Sequence, residues 1–178
     1  MEKDKELKEI IKKLVEDIRS YFEIEVPVKD IDTAVAKMGG TIVEVDDYRM
    51  LFNGTIKKNG DGFIIYVSAD WNEETRRYFV ARDLGFLTIS MGYATNKKLW
   101  DSFKNGEYFN CNKTGEILTA KYFADCFLMP EKELKEEVRK KTKNSQVDIK
   151  ELGKRFGVTY NNVNRRGIEL GVIEGREY

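Results

Sequence analysis

Leu7, Ile10, Ile11, Leu14, Val15, Ile18 and Phe22 recur at intervals of three and four residues, with mostly charged side chains between them. That spacing puts the apolar residues on one stripe of a helix over 4–22. A single stripe cannot be left in water. The helix must therefore lie against a surface built by the rest of the chain, and hydrophobic residues at 41% are enough to build one. At 178 residues the chain suits one medium domain, or one domain with a small appendage.

After Pro27 a short helix is predicted over 29–38, with Ile31, Ala34, Val35 and Met38 inward and Gly39-Gly40 at its end. "TIVEV" (41–45), "MLFNGTIKK" (50–58) and "GFIIYVS" (62–68) read as three strands. Asn59-Gly60 marks an antiparallel hairpin between the last two. A helix over 71–90 follows, capped by Asp70 or Asn72, with Glu73 and Glu74 suiting the positive end of its dipole. The stretch 91–115 is poorly patterned but holds Trp100, Phe103, Tyr108 and Phe109, so it reads as a packed excursion. Helix 116–128, "EILTAKYFADCFL", comes next, then a charged helix with Pro130 in its first turn. In the tail, Asp148 caps a helix carrying Ile149, Leu152 and Phe156. Gly157 turns the chain, and Thr159 caps a second helix with Val163 inward, which is helix-turn-helix spacing.

Several function classes are disfavoured. Basic and acidic residues balance at 31 each, which argues against a generic polyanion binder. The segment 139–166 is nonetheless basic, with nine basic residues against two acidic ones, a local charge of +7 that suits DNA phosphates. No apolar run approaches the roughly 18 residues of a membrane span, and the N-terminus "MEKDKELKEI" is charged throughout, unlike a secretory signal. Cys111 and Cys126 have no CxxC spacing and read as two reduced cytosolic thiols, one in a loop and one in a core. There is no histidine, the commonest zinc ligand and neutral-pH base.

That absence bears on "RRYFVARDLGFLTIS", Arg76 to Ser90. Zinc hydrolases carry HExxH on a helix because histidines four apart share one face and grip one metal. The adjacent glutamate serves as base for the metal-bound water. Here the segment is "ARDLGF". Arginine stays protonated and cannot ligate, phenylalanine has no donor atom, and only Asp83 offers a carboxylate. Taken in order with the downstream stretches "YFADCFLMP" and "ELGKRFGVT", the chain resembles the ImmA/IrrE family of zinc metallopeptidases over most of its length. Laid on the family pattern, the first histidine falls on Arg82, the glutamate base on Asp83 and the second histidine on Phe86. The third ligand, a glutamate, falls on Thr119, with Glu116 one turn earlier as a shifted candidate. Gly167 stands where the family has a leucine, which is expected to weaken the last helix.

The resemblance implies an α+β, zincin-like fold: a small antiparallel sheet packed by helices, with a helix-turn-helix-like C-terminal part. It places a peptidase-like domain at 1–146 and a tail at 147–178 packed on it as part of the same domain. With its ligands replaced, the site is expected to hold no metal, no cofactor and no catalytic residue. The resemblance further implies a cytoplasmic regulatory module from a phage or mobile element, which binds a protein such as a helix-turn-helix repressor. Two rival readings stand beside it: a DNA-binding regulator using 148–171, and a hydrolase with non-standard metal ligands.

Overall fold

The computed structural model describes residues 2–46, 55–110, 113–143 and 146–174. Cys111 and residues 50–54 of the expected second strand lie outside them. Helix α1 (Glu2–Tyr21) buries Ile11, Val15 and Ile18 and packs on α5 (Thr114–Leu128). Its first turns are not covered, because Leu7 and Ile10 are exposed; the apolar stripe is used only toward its C-terminal end. Helix α2 (Ile31–Lys37) is capped by Asp30, whose carboxylate accepts from the Asp32 and Thr33 amides, and it buries Ile31, Ala34 and Val35, with Met38 buried just beyond its last turn.

Strands β2 (Ile56–Asn59) and β3 (Gly62–Ser68) form the antiparallel hairpin. Asn59 pairs with Gly62, so the turn residues are Gly60 and Asp61, one place later than the dipeptide suggested. Gly60 has φ +61°, and a hairpin turn of the II′ family needs glycine at that first central position. Strand β1 (Gly40–Val45) runs parallel to β3, and β4 (Tyr108–Phe109) pairs antiparallel with β2, giving the order β1-β3-β2-β4. The sheet is thus mixed and not purely antiparallel as expected. Side-chain alternation identifies a strand but carries no direction, and β1 and β3 pair directly although β2 lies between them in the sequence.

The excursion at 91–115 contributes β4 and the short helix α4 (Lys97–Ser102). Trp100 is buried, Phe103 packs edge-on against Phe109 with ring centroids 5.0 Å apart, and Tyr108 is exposed. Helix α3 (Glu73–Ile89) is capped by Asn72, which accepts from the Thr75 amide at 2.8 Å; Asp70 does not cap it. It packs on both β3 and α5 and is buried at every position from Asp83 to Thr88. Six consecutive positions exceed one turn, so the helix has no solvent face there.

Helix α6 (Glu131–Lys141) starts one residue after Pro130. A two-stranded ribbon, β5 (Thr142–Lys143) and β6 (Gln146–Val147), leads into α7 (Ile149–Phe156) and α8 (Tyr160–Glu169). Asp148 and Thr159 cap these two helices through the Glu151 and Asn162 amides. Gly167 does not shorten α8. A Cβ there would lie 2.3 Å from the Ile173 side chain, and the Gly167 carbonyl accepts from the Val172 and Ile173 amides. The missing side chain lets the chain fold back over the helix end. No helix of the described residues is long and apolar enough to cross a membrane.

Candidate functional site

Helices α3 and α5 cross where Gly85 meets Ala120 and Phe123. A Cβ on Gly85 would lie 2.8 Å from the Phe123 Cβ and 3.0 Å from the Ala120 carbonyl oxygen, so the approach needs glycine. Arg82 and Phe86 on α3, and Glu116 and Thr119 on α5, all lie within about one turn of that contact.

The side chains near the crossing are an ion pair and a buried phenylalanine. Arg82 donates from Nη2 at 2.9 Å and Nε at 3.2 Å to a single carboxylate oxygen of Asp83. Its guanidinium also lies 4.4 Å from the centre of the Phe79 ring, which stacks on Trp71 at 4.6 Å. These contacts hold the arginine flat against the protein. Asp83 is 2% exposed. Burial pushes its carboxyl above the usual carboxylate range, and the Arg82 charge pulls the other way. Phe86 is 7% exposed and part of the core.

The two positions on α5 do not join this pair. Glu116 faces Lys113 at 3.4 Å. The Thr119 hydroxyl donates to the Gly115 and Glu116 carbonyls of its own helix, at 3.1 and 3.0 Å. No hydrogen bond or ion pair among the described residues links either to Arg82. A buried carboxylate with one oxygen held by arginine is poorly placed to take a proton from water. Among the described residues no group of three or more His, Cys, Asp or Glu is placed to hold a metal ion. Protein purified without chelator is expected to carry far less than one zinc per chain by elemental analysis. Stoichiometric zinc that survives dialysis would overturn the reading of a replaced metal site.

A second polar cluster was not legible as such. Arg165 donates from Nη2 to Asp125 at 2.6 Å and to the Tyr78 hydroxyl at 2.7 Å. Asp125 is 4% exposed, and burial raises its carboxyl while Arg165 opposes the rise. Next to it Arg166, 1% exposed, donates to Glu169 at 2.8 Å and to the Cys126 sulfur at 3.4 Å. Burial pushes the Cys126 thiol up, so it stays protonated. Both arginines belong to the basic stripe of 139–166, yet both are tied to acids and Arg166 is buried. Lys154 and Lys140 are likewise paired, with Glu151 and Glu137. The signal for Arg166 was available: Val163, Arg166, Gly167 and Leu170 share the i, i+3, i+4, i+7 face of α8.

No protein-family model matches the chain, and no curated protein matches it. Among solved structures it is similar to a Mycobacterium tuberculosis transcriptional regulator, with a TM-score of 0.57 and 18% sequence identity. The match covers 89% of this chain and 46% of that one, so the chain spans less than half of the regulator's length. At that identity the likeness is one of fold.

Proposed function

We propose that the chain is a catalytically silent relative of the ImmA/IrrE metallopeptidases that acts in the cytoplasm by binding a protein partner. The partner we favour is a helix-turn-helix regulator, in a phage or mobile-element setting, held without being cleaved. The observation that carries this reading is the α3–α5 crossing. Where a zinc hydrolase of this pattern needs two histidines on one helix face, the chain has the Arg82–Asp83 pair and buried Phe86. The motifs around the site persist while the donor atoms do not.

A second reading, DNA contact through 148–171, draws on the exposed Lys150, Lys154 and Arg155 and on the fold likeness to a transcriptional regulator. It is weakened by Arg165 and Arg166, which lie on the second helix of the pair but are engaged with Asp125 and Glu169. A hydrolase with non-standard metal ligands is the remaining alternative, and zinc analysis addresses it.

The test is incubation of the purified chain with helix-turn-helix repressors from the same genome. The expected result is a stable complex with the repressor intact after long incubation. A repressor that is cut, with cutting abolished by Asp83→Ala, would show an enzyme and overturn the proposal. Binding to duplex DNA with a steep salt dependence, and to no repressor, would favour the second reading.

A further inference from the structure

A cleft of about 440 Å³ lies between α1, α5 and α8, a volume in the range of small-molecule pockets. Leu7 and Ile11 of α1 and Leu118 of α5 give it an apolar wall. Leu7 and Leu118 are 42% and 62% exposed there. This is where the stripe of α1 runs past its cover.

One cation in the wall is held in place by its neighbours. The bonds from Arg165 Nη2 to buried Asp125 and to Tyr78 leave its Nε and Nη1 without a hydrogen-bond partner among the described residues. The side chain is 47% exposed. A guanidinium pinned at one nitrogen has lost much of its freedom before a ligand arrives, so an anion gains the charge-assisted bond at little ordering cost. Tyr122 also lines the cleft. Burial pushes its phenol up, so it adds no negative charge to the wall.

The charges facing the cleft are Asp4, Lys8, Lys121, Asp125, Arg165 and Glu169. Lys8 neutralises Glu169 at 2.7 Å, and Arg165 neutralises Asp125 at 2.6 Å. Arg166 reaches Glu169 from the protein side at 2.8 Å. The lining groups balance at three basic and three acidic, and buried Arg166 behind the wall adds one further positive charge.

We propose that this cleft binds a small monocarboxylic acid, with its aliphatic or aromatic body against Leu7, Ile11 and Leu118 and its carboxylate on Arg165. The proposal does not depend on the partner reading above, since it uses Leu7, Ile11, Leu118 and Arg165 and not Arg82, Asp83 or Phe86, although Thr119 of the candidate site also lines the cleft.

Octanoate titrated into the full chain by calorimetry tests it, with octanol as the uncharged control and inorganic phosphate as the head group alone. The expected result is saturable octanoate binding at one per chain. Octanol should bind about tenfold or more weaker, the size of one lost charge-assisted bond, and phosphate should show no saturation. Arg165→Met should erase the preference for octanoate over octanol. Leu118→Asp alters an exposed helix position, so it keeps the fold, and it should weaken octanoate about tenfold by placing a like charge at the mouth. Absence of saturable octanoate binding at millimolar concentration, octanol or phosphate binding as tightly as octanoate, or indifference to Leu118→Asp would each overturn the proposal.

Discussion

Replacing Arg82 with leucine is expected to lower the stability of the protein by about 3 kcal/mol at neutral pH. Leucine keeps part of the apolar contact with Phe79 but leaves the Asp83 carboxylate, 2% exposed, without its cation. The penalty should depend on pH with a definite sign. Asp83 already has its folded carboxyl raised above the ordinary value by burial, so its contribution is least costly below the unfolded value of about 3.9 and grows worse as pH rises through the folded one. Arg82 opposes that rise. Without it the folded carboxyl moves higher still, the window widens, and the loss relative to wild type should shrink as the solution is acidified toward the ordinary carboxyl value. Urea denaturation of both proteins at matched pH values measures this. The double variant Arg82→Leu with Asp83→Asn should recover most of the loss, because an amide carries no charge to strand. A penalty within about 0.5 kcal/mol that is flat with pH would mean that the pair is well solvated.

The parts of the fold legible in the sequence are those with a local cause. Asn72, Asp148 and Thr159 cap helices because their side-chain oxygens reach amides three residues on. The β2–β3 hairpin follows from a glycine turn ahead of the β-branched run of β3. What stayed hidden is set by partners distant in sequence. The parallel edge of β1 depends on β3 lying beside it, with Gly40 in register with Phe63 far along the chain. β4 has only two residues, too few for alternation to register, and exists because β2 offers an open edge. Lys58, a charged strand residue, is 7% exposed because its ammonium donates to the Trp100 and Phe103 carbonyls, far along the chain.

The candidate site divides the same way. That Arg82 and Phe86 share a helix face, and that neither can ligate zinc, follows from spacing and chemistry alone. That Arg82 pairs with its neighbour Asp83 and not with Glu116 does not, because the choice depends on the Phe79–Trp71 stack that holds the guanidinium. The charge of the tail divides in the same way. A count of charges treats all arginines as surface groups, whereas Arg166 sits on the inward face of α8 among Cys126, Tyr122 and Glu169.

Phe86→Ala is expected to cost about 3–5 kcal/mol, toward the upper end for an aromatic core truncation. The size depends on whether neighbours can close over the space left behind, and here they are constrained. One residue earlier, Gly85 already lies against the Phe123 side chain and the Ala120 carbonyl, so α3 and α5 cannot draw closer. Leu84 and Leu87 on either side are fully buried and have nowhere to move. The cavity should therefore persist, adding its own cost to the lost transfer free energy. Phe86→Leu, which keeps much of the volume, should cost less, about 1–1.5 kcal/mol. Tyr21→Ala serves as the surface control: Tyr21 is 79% exposed, and its removal should change stability by no more than about 0.5 kcal/mol. Urea midpoints with unchanged slopes measure all three. If Phe86→Ala behaves like Tyr21→Ala, Phe86 is not a core residue near the α3–α5 crossing, and the account of a filled metal position loses its main support.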